Sequence, residues 1–358
     1  MLPSGFLHPS LSREWKQIPP AQATLVTQCR LLYNFSVGHR LTRGHRYRHA
    51  IKLGMRFLFE SFRDPDHAGW FFSVDQGGRP LNLGKDAYGH AFCIFGLAHA
   101  GQVLQSRQAH EAALQTWEQV ARHFIEPSGG IVPALHRNLQ GPSDHRTQNP
   151  MMHLFEALLA LLALFPRDES IARGAEGIAR FVHRFLADPA TGRLPEMYDT
   201  NWNELPRERG GRIDLGHAME WAYLLSRGVE LGLDEQWLKT AEVLLANGLQ
   251  VGEDSLGGLH PNEAPEGGLL PGPKGWWQQC ELLRALIHFA AVRGRDDLWP
   301  RIGTHLTFVQ DSFIDQEFGG WYGKPGVGGQ PPVNPSKGNT WKVDYHVVAL
   351  CEEALRVL

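Results

Sequence analysis

Apolar and polar positions along this 358-residue chain alternate between two kinds of helical segment. In the first kind the residues are apolar on most sides, as over Lys85 to Ala100 (KDAYGHAFCIFGLAHA), Asn149 to Leu164 (NPMMHLFEALLALLAL), Gly216 to Leu225, Trp276 to Ala290 and Trp341 to Leu355, with a further such helix at about 21 to 36. Helices of this kind belong in the interior of a protein. The second kind is amphipathic and runs over roughly 43 to 63, 108 to 125, 169 to 187, 234 to 250 and 296 to 313, which predicts an outer layer with one wet face. Start signals agree: Pro166-Arg167-Asp168 precedes the third of these helices, and Asp234 is placed to cap the fourth. No alternating run of five or more residues reads as an extended strand, so β structure is expected only as short hairpins.

Those hairpins belong to Gly-rich segments that recur at Gly5, Gly69, Gly129, Gly192, Gly257 and Gly319, with spacings of 64, 60, 63, 65 and 62 residues. So regular a period marks an internal repeat. Six alternations of inner and outer helix predict an all-α (α/α)6 barrel, a toroid of helical hairpins with short β-hairpins in the loops at its mouth. An open solenoid is the competing architecture, but its repeats are shorter, about 33 to 47 residues. Residues 1 to 358 are expected to form one catalytic domain. The first repeat shows an inner helix with no outer helix before it, giving six inner and five outer. Either the ring lacks one outer stave, or the N-terminal segment or a partner subunit, as in a homodimer, covers the gap.

Charge and cysteine content narrow the function. Asp and Glu number 38 against 35 Lys and Arg, a net charge of −3, without the basic excess of a nucleic-acid or anionic-membrane binder. Cys29, Cys93, Cys280 and Cys351 are far apart and form no CxxC pair, which predicts a reduced, cytoplasmic protein with no disulfide framework or zinc site. Residues 1 to 20 hold no apolar core of signal-peptide length, and no apolar run reaches 18 residues. HExxH, an acidic calcium loop and a nucleophile elbow are all absent, and no cofactor is expected. The Gly326 to Gly329 run lacks the context of a phosphate loop.

What stands out is 18 His and 11 Trp. Most have ordinary explanations. His39, His45, His49, His99, His123, His183 and His288 read as structural or surface residues, Arg43 to His49 as a solvated face, and Trp117 and Trp237 as core anchors. The starts of the inner helices differ. They carry Gln28 and Arg30; Lys85, Tyr88 and His90; Arg146, Asn149, His153 and Glu156; His217 and Glu220; Lys274, Trp276, Trp277 and Glu281; and Trp341, Lys342, Tyr345 and His346. His153, His217 and His346 thus lie at comparable positions of three repeats, with Glu156, Glu220 and Tyr345 as candidate orienters. A His held by a carboxylate is a general base tuned near neutral pH. Aromatic rings beside such groups suit a sugar, whose C–H face packs on the ring while its hydroxyls take hydrogen bonds. Arg30 can stabilise a developing oxyanion.

At these residues the chain resembles the N-acylglucosamine 2-epimerase superfamily, from about Gly5 to the C-terminus. The ordered motifs are QCRLLYNFS around Arg30, KDAYGHAF around Tyr88, NPMMHLFEALLAL around His153, GHAMEWAYLL around His217, KGWWQQCE around Trp276 and Trp277, and WKVDYH ending at His346. The resemblance implies an (α/α)6 barrel and metal-free proton transfer at C2 of an unphosphorylated aldose through a cis-enediolate. It implies His217 and His346 as the acid/base pair, support from His153, Arg30, Tyr88, Asn149 and Glu220, and sugar contacts by Trp341 with Trp276 or Trp277; Glu281 is added among the substrate-binding residues. Aldose–ketose isomerisation shares the intermediate and is the alternative. More distant are an (α/α)6 glycoside hydrolase, which needs two carboxylates flanking the bond, and a non-catalytic sugar-binding protein. Family members usually carry an outer helix before the first Gly-Phe segment, which is not seen here.

Overall fold

A computed structural model describes residues 2–19, 22–270, 272–326 and 331–358. Its contacts divide the chain into two compact units. The first comprises Met1–Leu11, Lys16–Ile178 and Gly338–Tyr345, and the second Ser12–Trp15, Ala179–Lys337 and His346–Leu358.

In the first unit, α1 (Leu25–Thr42) packs on α2 (His45–Phe57) and α3 (Ala87–Leu104), while α3 also packs on α4 (Arg107–His123) and α5 (Asn149–Leu164). Helix α6 (Glu169–Phe181) follows and runs into the second unit. There α7 (Leu215–Glu230) packs on α8 (Gln236–Gly252) and α9 (Trp276–Arg293), and α9 packs on α10 (Trp299–Ser312). Helix α11 (Tyr345–Val357) lies in this unit from His346 onward. Helices α3 and α5 are buried along most of their length and α4 buries one stripe that includes Trp117, whereas α11, expected to be apolar on most sides, exposes Cys351, Leu355 and Arg356. Trp117 and Trp237 are core residues, as their helical positions predict.

Local chemistry explains the boundaries. Thr24, Asp86 and Asp214 cap α1, α3 and α7 by accepting from Thr27 N, Gly89 N and Gly216 N. Asp168 accepts from Ser170 N and Ile171 N ahead of α6. Asp234 accepts from Gln236 N, one residue before the formal cap of α8. Thr24, Asp86 and Asp214 each also sit on a two-residue strand paired with the next repeat: Ala23–Thr24 with Ser73–Val74, Lys85–Asp86 with Ala134–Leu135, and Ile213–Asp214 with Asn262–Glu263. Hydrogen bonds from a neighbouring repeat therefore fix where these inner helices start.

Two boundaries depart from the sequence pattern. Lys85 and Asp86 are extended, with the helix starting at Ala87. Trp341 lies in a turn ahead of α11, because Asn339 Oδ1 accepts from Trp341 N and Lys342 N, and Asp344 takes a left-handed φ of 55°. The first inner helix also runs later than expected, over Leu25–Thr42. Within the Gly326 to Gly329 run, residues 327–329 lie outside the described residues.

The recurring glycines are required twice over. Gly5 and Gly192 have φ of +97° and +71°, and a Cβ on either would stand 2.2 Å from a backbone carbonyl oxygen, of Leu53 and Val243 respectively. Just ahead of four of these turns stands an acid that binds a base 20 to 22 residues downstream: Asp64 with Lys85, Glu126 with Arg146, Asp254 with Lys274, and Asp315 with Lys337. These pairs tie the end of an outer helix to the approach of the next inner one.

Candidate active site

The second unit brings two imidazoles against one indole. His217 is the third residue of α7, and its Nδ1 lies 2.8 Å from Glu196 Oε2. His346, the second residue of α11, has its Nδ1 2.7 Å from Glu281 Oε1. Trp277 packs on both, with ring centroids 4.8 Å from His217 and 5.5 Å from His346. Both histidines and both glutamates are buried. When neutral, a ring that donates from Nδ1 carries its lone pair on Nε2, so each carboxylate sets a tautomer able to take a proton at Nε2. Burial pulls the His217 imidazole down, but Glu196 and Asp214 together outweigh it and hold the group above its ordinary value. Burial pushes the Asp214 carboxyl up to about 6.

Glu220, Glu281 and His346 bring one donor atom each within 4.8 Å of the others, a set able to hold a cation. Trp276 opens α9, half-buried, and its backbone N donates to Gly323 O at 3.4 Å.

In the first unit, Arg30 lies at the centre of an aromatic cluster. Its Nη2 donates to Tyr88 Oη at 2.6 Å, its Nη1 to Trp341 O at 3.3 Å, and its guanidinium carbon is 4.3 Å from the Phe92 ring centroid and 4.9 Å from that of Tyr345. His153 Nδ1 lies 3.3 Å from Glu156 Oε2, and the Tyr345 hydroxyl donates to that same oxygen. Tyr88 packs edge-on against His153. Asn149, the first residue of α5, lies one turn ahead of His153. The Trp341 side chain is exposed.

The orienting partners differ in part from the sequence reading. Glu156 holds His153 as expected. His217, however, has Glu196 on its Nδ1, and His346 has Glu281 rather than Tyr345. A three-residue step along a helix suggests Glu220 for His217, but a carboxylate arriving from a preceding hairpin meets Nδ1 more directly. Glu196 carries no signal of its own in the sequence: it follows Gly192, whereas the acids of the other repeats precede their glycines. Arg284 and Tyr223 carry none either.

Solved structures share this architecture. A crystal structure of a D-mannose isomerase matches with a TM-score of 0.91 at 24% identity, covering 100% of this chain and 93% of that one. The fold class is therefore all-α (α/α)6, with helical hairpins and short β-hairpins in the loops. The family model of N-acylglucosamine 2-epimerase matches residues 5–350, and the chain belongs to that family. It is similar to the D-mannose isomerase of Thermobifida fusca, 29% identical over 80% of this chain and 73% of that protein. It is also similar to the cellobiose 2-epimerase of Bacteroides fragilis, 22% identical over 98% and 92%. The chain is a sugar epimerase or isomerase.

Proposed function

We propose that the chain acts as a single catalytic domain on an unphosphorylated aldose of the mannose or glucose type, free or at the reducing end of an oligosaccharide, in the cytoplasm. It moves a proton at C2 between imidazoles, without a metal, a nucleic-acid partner or a membrane. The observation that carries this reading is the pair His217 and His346, each held by a buried carboxylate and both packed on Trp277.

After the ring opens, His346 removes the C2 proton and leaves a cis-enediolate. Return of a proton by His217 to the opposite face of C2 completes epimerisation, whereas delivery to C1 gives the ketose. On the family resemblance, Arg30 stabilises the enediolate oxygens, His153, Tyr88, Asn149 and Glu220 support the reaction, and Trp276, Trp277, Glu281 and Trp341 contact the sugar. A hydrolase reading is disfavoured because Glu196 and Glu281 are each hydrogen-bonded to an imidazole, which makes them orienters of a histidine pair.

Incubation with mannose, glucose, fructose and cellobiose in D2O tests this. From an aldose substrate, deuterium at C2 of the epimeric aldose signals epimerisation and deuterium at C1 of a ketose signals isomerisation, while an aldose labelled at C2 from fructose also signals isomerisation; no label and no product from any of the four would refute the proposal. His346→Asn should cut exchange by about 10²–10⁴-fold, and full exchange in that variant would remove His346 as the base.

A further inference from the structure

Glu281 joins a histidine to an arginine. Its Oε1 accepts from His346 Nδ1 at 2.7 Å, while its Oε2 lies 3.4 Å from Arg284 Nη1, three residues on along α9. The guanidinium is not a loose counter-ion. Arg284 is 6% exposed and stacks on Tyr223, with its carbon 4.0 Å from the ring centroid. The Tyr223 hydroxyl donates to Glu353 Oε2 at 3.3 Å, and Glu353 is in turn held by His288 Nδ1 at 2.7 Å and by Arg356. Buried at Tyr223, Glu353 and His288, this network backs the guanidinium behind Glu281.

Within the second unit, the charged and titratable groups around His346 are Glu281 and Glu220, Arg284 behind Glu281, and His217 across Trp277. Glu281 and Glu220 each bring a carboxylate oxygen within 4.8 Å of a His346 nitrogen, and in general a nearby negative charge holds a proton on an imidazole and makes it a poorer base. We propose, resting on His346 as the base, that Arg284 is a positioning residue for it: the guanidinium holds Glu281 in the orientation that fixes the imidazole and offsets part of the negative charge directed at the ring. No position in the sequence motifs singles out this arginine.

The test follows the His346 ring resonances by NMR across pH in wild type, Arg284→Gln and Arg284→Lys, with the pH profile of C2–H exchange into D2O measured alongside. Arg284→Gln should move the His346 midpoint up by about one pH unit, the scale of one charge lost at this range in a partly shielded site. The acid limb of kcat/KM should move with it, and kcat should fall more than KM changes. Arg284→Lys, which keeps the charge, should stay near wild type. Should Arg284→Gln not fold, Arg284→Met retains the apolar stem over Tyr223 and is read in the same way. An unmoved midpoint, or a lysine variant displaced as far as the glutamine one, overturns the role of Arg284. His346→Asn separates the two layers. Exchange retained there removes the base and with it any part for Arg284 in the reaction, whereas exchange lost there beside an unmoved midpoint in Arg284→Gln leaves the base standing and removes only Arg284.

Discussion

His90 does for the second repeat what a carboxamide does in two others. Its Nε2 accepts from Trp70 N at 3.1 Å and its Nδ1 donates to Asp86 O at 2.7 Å. Gln28 and Gln279 clamp Leu7 and Leu259 in the same manner, accepting from the backbone N and donating to the backbone O. A protonated His90 has no acceptor for Trp70, and burial pulls its pKa down from 6.5 to about 4. The folded-state value is depressed, so the contribution of His90 to stability is full above about 6.5 and is lost as pH falls from there to about 4. The difference in unfolding free energy between wild type and His90→Gln should therefore drift by about 3 kcal/mol across that window. Chemical denaturation at several pH values checks this; Asp86 and Asp214, whose carboxyls burial pushes up to about 6, titrate in both proteins and cancel. At this scale His217 and His346 were legible in the sequence because their repeat positions match. Which carboxylate each would meet was not, since that depends on hairpins approaching from elsewhere in the chain.

Between elements, the recurring acid–base pair is the main electrostatic tie. Asp315 and Lys337 are fully buried side chains 2.7 Å apart, with Arg13 adding a bidentate contact to the same carboxylate. Removing one partner of such a pair leaves an uncompensated charge in the interior. Asp315→Asn should cost about 3 kcal/mol of stability, whereas Glu111→Ala, which breaks the exposed Arg107–Glu111 pair on α4, should leave the thermal midpoint unmoved. Calorimetry on both variants decides this; equal effects would contradict the distinction between them. The sequence showed the helices through their apolar periodicity and the turns through their glycines. It did not show that Trp341 precedes α11 instead of joining it, because one Asn side chain and a left-handed residue set that boundary.

For the molecule as a whole, family membership leaves sugar epimerisation or isomerisation as the chemistry to be explained. The donor atoms of Glu220, Glu281 and His346 are close enough for a cation, so the proposed metal independence is open to direct test. Dialysis against EDTA followed by assay in metal-free buffer should leave kcat/KM unchanged; a loss reversed by a divalent ion would refute it.

By itself the sequence determined the repeat, the alternation of apolar and amphipathic helices, and the histidines and tryptophans at the starts of the inner ones. Each of these is a matter of local periodicity, and periodicity is written in consecutive residues. Packing alone brings Glu196 to His217, places Glu281 against both His346 and Arg284, and lays Trp277 on both imidazoles. Those contacts join α7, α9, α11 and a hairpin, and they form because helix packing closes distances that chain spacing leaves undetermined.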